Sequence, residues 1–239
     1  MFKLMLPLLM LVTASPIPKA EPISFLTEEY PPFNYRDGSD IKGATVDQVR
    51  SLMAGIADYT IDIVPWARAY AQARNTPMSC VFVTAHTLDR DPLFKWVEPL
   101  LIDRNLLIKH KGTPVTATTI EEAKQYSVGT WRDDYTETLL RKLNFPRIDI
   151  ANNMTAAFKK LTNDRIDLMP MSELYYNKLV KQGEPFEKVV VLSEQPMGIA
   201  CQRDFPEDLL RKMQTALDGL ISDGRQQAIF QQYGMQLQN

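Results

Sequence analysis

The sequence predicts an α/β protein of two lobes, two open sheets joined by a two-segment hinge, and three observations carry that prediction. Over residues 23–83, short apolar or alternating runs are interleaved with stretches of helical periodicity, the βαβ pattern of an open sheet. The pattern breaks at an extended stretch, residues 100–109, and then restarts as a second α/β unit of similar size. The last two helical stretches have no strands of their own, so they must pack on a unit already built. A chain that leaves one lobe, builds another and returns makes two connections, and ligands of such folds sit at strand ends between the lobes.

Taken in order, residues 23–26 read as a short buried strand, followed by the turn-rich segment EEYPPFNYRDGSDIKG. Residues 45–54 are helical, with Val46, Val49, Leu52 and Met53 on one face. Residues 60–64 form a strand in which Ile61 and Ile63 alternate with polar partners. A helix over 65–74 begins at Pro65, a residue suited to a first turn, and a buried strand follows at 80–83. Beyond the crossing stretch come a strand at 127–130, a helix at 134–143, a strand at 148–150, a helix at 154–161 and a strand at 166–169. A helix at 173–180 precedes the extended return at 189–192, and helices over 207–221 and 225–233 flank the Asp223-Gly224 turn. The expected lobes are 21–102 with 195–239, and 103–194.

Residues 1–20 have the layout of an export signal: Lys3, an apolar run over 4–12, then small residues and prolines with cleavage near Ala14 or Ala20. The run is too short to span a bilayer, which takes about 20 residues. No cysteine follows it to carry a lipid, so no membrane insertion is expected and the destination is the periplasm. Without that segment the chain carries 25 basic and 29 acidic residues, a net charge of −4 that argues against a nucleic-acid partner. The two cysteines, Cys80 and Cys201, suit an oxidising compartment as one disulfide, or are two buried small hydrophobes.

Four stretches, ISFLTEEYPPFNY with Gly43 and Asp47 downstream, CVFVTAHTLDRDPLFKWVEPL, LTNDRIDLMPMSELYY and GIACQRDFPEDLLRKMQTALDGLISDGRQQAIFQQYG, carry a resemblance in their order and spacing. Together they resemble the family-3 bacterial extracellular solute-binding proteins, the periplasmic receptors of polar amino acid importers. The resemblance covers nearly the whole chain after the leader. It implies the two-lobed periplasmic binding protein fold of the type II-like kind, with the strands of Cys80 and Cys201 side by side and therefore able to bridge.

It also implies a site. Arg90 stands where the family places an arginine that forks onto a ligand carboxylate, chemistry that suits a planar, permanently charged guanidinium. The other reading is a surface arginine paired with Asp89 or Asp91. Tyr30 and Trp66 match aromatic positions against the ligand's body, and Trp66 reads equally as core. Glu28, two residues before Tyr30, and Arg68, two residues after Trp66, join the candidate set, although an exposed helix residue is the commoner fate of Arg68. Phe33 reads as core.

This chain departs from the family pattern at three places. Ala85 replaces a hydroxyl residue, and Ser172, followed by Glu173, replaces the carboxylate that holds an α-ammonium. Trp131, Arg132, Asp133 and Asp134 replace the small residues of a second-lobe helix start. Those aspartates either cap the helix or, through Asp133, hold a cation in the cleft. The ligand is then a modified amino acid, a small carboxylate without the amine, or a cationic metabolite.

No catalysis is expected. Some relatives of this scaffold dehydrate cyclic acids, and Glu173 is the one residue here that offers a general acid. His86 and His110 are too far apart for a short metal-ligand motif, His86 reads as a loop histidine bonded to backbone, and no metal or cofactor is implied. The expected partners are a small-molecule ligand and either an ABC permease or a membrane sensor, with the chain acting as a monomer. Hinges are expected near 101–104 and 191–196.

Overall fold

The computed structural model describes residues 21–237, so the expected leader, residues 1–20, lies outside the described residues. The first unit contains β1 (Ile23–Thr27), the hairpin strands β2 (Tyr35–Asp37) and β3 (Asp40–Lys42), α1 (Ala44–Met53), β4 (Tyr59–Ile63), α2 (Trp66–Asn75) and β5 (Ser79–Ala85). A long strand, β6 (Lys95–His110), leaves it. The second unit contains α3 (Ile120–Ala123), β7 (Val128–Trp131), α4 (Tyr135–Lys142), β8 (Ile148–Ala151), α5 (Met154–Thr162), β9 (Met169–Ser172) and α6 (Glu173–Lys181). The strand β10 (Phe186–Cys201) returns, and α7 (Glu207–Ser222) and α8 (Arg225–Gln232) pack on α1 of the first unit. This is the two-lobed α/β architecture expected from the sequence.

The two crossings are longer than the sequence suggested. β6 and β10 pair antiparallel from Phe186 opposite His110 to Cys201 opposite Lys95, so each satisfies the other's backbone polar groups through the waist. One sheet therefore runs β4-β1-β5-β10-β6-β9 through both lobes. Register slips at Lys188/Val190, Val191/Ser193 and Met197/Ile199 break the ladder of β10, and such bulges bend and twist a strand locally. The second lobe adds the parallel pair β7-β8, joined to the rest where Leu168 bridges Val128.

One strand is displaced: the run expected at 166–169 becomes β9, which starts at Met169 and includes Pro170. β9 is an edge strand, where a residue without an N–H breaks no ladder bond on the open side. The β2–β3 hairpin was not foreseen in the turn-rich segment.

The helices form for the reasons their patterns gave. α1 buries Val46, Val49, Leu52 and Met53, and α7 buries Met213, Leu217 and Leu220, each a stripe at helical spacing. Asp134 caps α4 by accepting from the Thr136 amide, and Asn153 caps α5 by accepting from that of Ala156. Gly43, at φ +135°, closes the 28–43 loop onto α1, and a Cβ there would lie 2.0 Å from the Phe33 carbonyl oxygen, so no other residue fits. Cys80 and Cys201 face each other across β5 and β10 and form a disulfide.

Candidate functional site

The C-terminal ends of β1, β5 and β7 meet the middle of β6 between the lobes. They enclose a cavity of about 30 Å³, room for roughly two water molecules. Glu28, Tyr30, Trp66 and Arg90 line it from the first lobe, Trp131, Asp134 and Tyr135 from the second, and Asp103 and Asn105 from β6. Arg90 and Tyr135 also line a larger groove of about 750 Å³ beside it, with His86, Asp89 and Lys142.

Local structure positions each group. β5 ends at Ala85, and a tight turn, in which the Arg90 amide donates to the Thr87 carbonyl, swings Arg90 back over the strand end. The side chain is 6% exposed, and its guanidinium donates to the carbonyls of Ala85 at 3.4 Å and Asp133 at 2.8 Å. It also lies over the rings of Trp66 and Tyr70, 5.5 and 5.0 Å from their centroids, in cation–π geometry. Pro65 precedes α2 and leaves Trp66 as its first residue, with the indole Nε1 donating to the same Asp133 carbonyl at 2.8 Å. Asp133 presents that carbonyl from a left-handed backbone conformation, φ +60°.

Direct bonds thus join the lobes. Trp131 Nε1 donates to Glu28 Oε1 at 3.2 Å, the Ser172 amide donates to the Tyr30 hydroxyl at 3.0 Å, and Lys142 pairs with Asp89. Tyr30 packs edge-on against Phe33, Trp131 and Tyr175.

The electrostatics of the cavity are acidic. Glu28, Asp103 and Asp134 are 7%, 4% and 8% exposed, with Arg90 as the one guanidinium among the cavity-lining residues. Burial pushes the Glu28 carboxyl well above the usual range, and the nearby Asp134 adds to this against the Trp131 hydrogen bond and the Arg90 charge. Burial likewise lifts Asp103 to about 7, although the Ser172 hydroxyl donates to it at 2.5 Å and Asn105 also bonds it. Asp134 is raised by burial too, despite its bonds from Thr136 and the charge of Arg90.

Most of the expected residues come together: Glu28, Tyr30, Trp66, Ala85, Arg90 and Trp131 all line the inner cavity. Ser172 reaches it indirectly, through Asp103. Arg68 does not reach it. α2 turns Trp66, Ala69 and Ala73 inward, which puts Arg68 on the exposed face. Asp133 is also exposed and contributes its carbonyl to Arg90 and Trp66, while the buried carboxylate beside it belongs to the capping residue Asp134. Glu173 pairs with Arg104 and Lys188 outside the cavity lining. His86 bonds the carboxylates of Glu98 and Asp91 through its ring rather than backbone, and stacks on Trp96.

Sequence reasoning missed Asp103, Asn105 and Tyr135. A signal for the first two was present: polar residues two apart on one face of the apolar run LLIDRNLLI.

The sequence profile of the bacterial extracellular solute-binding proteins, family 3, matches residues 23–236. Among curated proteins no match was found. Solved structures share the fold. An ancestral arginine-binding protein bound to arginine superposes with TM-score 0.79 at 20% identity, covering 88% of this chain and 97% of that one. The arginine-, lysine-, histidine-binding protein ArtJ from the thermophilic bacterium Geobacillus stearothermophilus gives 0.81 at 18% identity, covering 90% and 96%. A histidine kinase sensor domain with similarity to periplasmic binding proteins gives 0.81 at 15% identity, covering 92% and 99%.

Proposed function

The chain belongs to the bacterial extracellular solute-binding proteins of family 3, and from that premise we propose that it captures a small polar, carboxylate-bearing metabolite, an amino acid or a derivative of one. It does so in the periplasm, by lobe closure and without catalysis, for delivery to an ABC importer. The observation that carries the reading is Arg90, a buried guanidinium at the boundary of the two lobes, flanked by aromatic faces. Its strongest partner across the cleft is a neutral carbonyl, that of Asp133. A ligand carboxylate competes for that donor with the advantage of full charge.

Residues 21–102 with 195–239 move as one body and 103–194 as the other, about hinges near 101–104 and 191–196. The bulges of β10 at Val191/Ser193 and Met197/Ile199, flanking 194–196, support this division. The ligand shifts the open–closed balance by its preference for the closed form alone.

A thermal unfolding scan of refolded, ligand-stripped protein against amino acids, their derivatives, dicarboxylates, polyamines and sugars tests the reading. A ligand at about 100 times its dissociation constant adds about 2.7 kcal/mol of stability. In a chain of this size that raises the midpoint by roughly 5–11 °C. Arg90→Ala weakens a carboxylate ligand by about 1.5–3 kcal/mol, the worth of a charged hydrogen bond. Unchanged affinity in that variant removes Arg90 from the site, and silence across the whole panel from a cooperatively folded sample removes the receptor reading. The likeness to a sensor domain favours one other role, in which the closed form docks on a membrane sensor instead of a permease.

A further inference from the structure

We propose that His86 is a positioning residue for Arg90: as an imidazolium clamped between Asp91 and Glu98, it closes the turn that aims the guanidinium into the cleft, and loss of its proton loosens that turn. The clamp itself needs no ligand; its consequence for a ligand rests on the receptor reading above.

The geometry requires the charged ring. His86 Nδ1 lies 2.9 Å from Glu98 Oε1, and Nε2 lies 2.8 Å from Asp91 Oδ1. An ionised carboxylate only accepts, so both ring nitrogens must donate, and the imidazolium alone has two N–H groups. A neutral ring would set a lone pair against one of the two oxygens. Trp96 stacks on the ring, centroids 4.1 Å and planes 10° apart, which holds its orientation and favours its charge. Glu98 adds a second demand for a cation. Its Oε2 is buried without a hydrogen-bond partner, and Gln214 of α7 holds its backbone at both the amide and the carbonyl. A carboxylate so confined is stabilised by a positive charge on its other oxygen.

The clamp spans the Arg90 turn from end to end. His86 directly follows β5, and its amide donates to the Pro196 carbonyl of β10 at 3.0 Å. Asp91 directly follows Arg90, and the amides of both donate to the Thr87 carbonyl at 2.9 Å. The bond from the ring to Asp91 thus ties the start of the turn to its end, with Arg90 one residue inside. Two carboxylates face the ring, Asp91 from the turn and Glu98 from β6. The other charges nearby on these elements are engaged elsewhere: Asp89 pairs with Lys142, Lys95 of β6 with Glu207, and Glu194 of β10 with Arg104. Burial lowers the pKa of the ring, and the bonds and charges of Glu98 and Asp91 more than offset this, leaving it above 6.5. The clamp is therefore complete below pH 6.5 and is lost as the pH rises through the higher folded value. Asp91, the more exposed of the two acids, is the one released to water.

Nitrogen-15 NMR of the untagged, ligand-stripped protein from pH 5.5 to 9 tests this. His86 and His110 are the chain's two histidines, so His110→Gln leaves one ring to follow. The expected result is a His86 ring protonated on both nitrogens to above pH 6.5, with a lower midpoint in Asp91→Asn. Hydrogen exchange at the Arg90 and Asp91 amides, corrected for its intrinsic pH dependence, accelerates about 10-fold across that midpoint, the loss of one hydrogen bond to a charged group. In His86→Gln the exchange is fast at every pH. In His86→Arg, a planar and permanent cation that stacks and donates twice, it is slow at every pH. Thermal melts verify folding, and if neither replacement of His86 folds, the parent and Asp91→Asn decide. A His86 ring with one protonated nitrogen at pH 6 overturns the proposal, as does a midpoint unmoved in Asp91→Asn or an exchange profile flat across it. An exchange step that persists in folded His86→Gln belongs to the acids of the cavity and overturns it too. None of these outcomes touches the receptor reading, which the ligand panel decides.

Discussion

Lowering the pH from 8 to 5.5 raises the unfolding midpoint of the ligand-stripped protein, and Asp103→Asn removes a large part of that dependence. The carboxyl is raised by burial from 3.8 to about 7 in the folded state. Below pH 3.8 both folded and unfolded chains are protonated and nothing is gained or lost. As the pH rises from there to about 7, the unfolded chain releases the proton while the folded chain keeps it, so stability falls. Above about 7 the full cost is present, on the order of 4 kcal/mol. Returning from pH 8 to 5.5 recovers on the order of 2 kcal/mol of it, a midpoint shift of roughly 4–8 °C.

The groups facing Asp103 are Ser172 and Asn105, which bond it, Glu173 and Asp134, whose charges raise it, and the phenols of Tyr30 and Tyr135. Glu28 and Asp134, raised by the same burial, contribute with the same sign, which is why Asp103→Asn flattens the profile without abolishing it. The variant is also more stable than the parent at pH 8. A variant that melts lower at pH 8 with the pH profile intact shows instead that Asp103 is ionised and well paired in the unliganded protein.

Replacing Cys80 and Cys201 together with alanine lowers stability by about 2–4 kcal/mol, and the midpoint by roughly 5–15 °C. The bridge closes a loop with a sequence separation of 121, for which the loss of unfolded-state entropy alone approaches about 5 kcal/mol. That loop contains the whole second lobe, so the bridge also keeps the returning strand β10 registered against β5 while the lobes move. Scanning calorimetry of the oxidised parent against the double variant measures the difference. Equal midpoints show that the thiols do not bridge in the folded protein.

What the sequence made legible and what it hid separate along physical lines. The stripe Val46, Val49, Leu52, Met53 announces α1 because the contacts that bury it recur every three or four residues. Arg90, Tyr30 and Trp66 were legible as candidates because they sit at fixed offsets within recognisable stretches, and the structure places all three along the cavity. The extent of β6 and β10 was not legible, since each strand owes its length to a partner far away in sequence, Lys95 opposite Cys201. Arg68 was misplaced because proximity to Trp66 in sequence is not proximity on a helix, where the inward face is Trp66, Ala69 and Ala73. Asp103 and Asn105 escaped notice inside a run that reads as apolar connection, and the cavity that gives them meaning exists only once Tyr30, Trp131 and Ser172 converge from three other segments.

The central claim is a cleft that closes on a small molecule, and small-angle X-ray scattering of the stripped protein, with and without the compound that raises its midpoint most, tests it most directly. Saturation should reduce the radius of gyration toward about 17 Å, the value for a compact chain of the described length. Arg90→Ala, given the same concentration of compound, should remain at the larger, unliganded value. An identical radius in both states, with the compound demonstrably bound, would contradict closure and make the protein a rigid receptor.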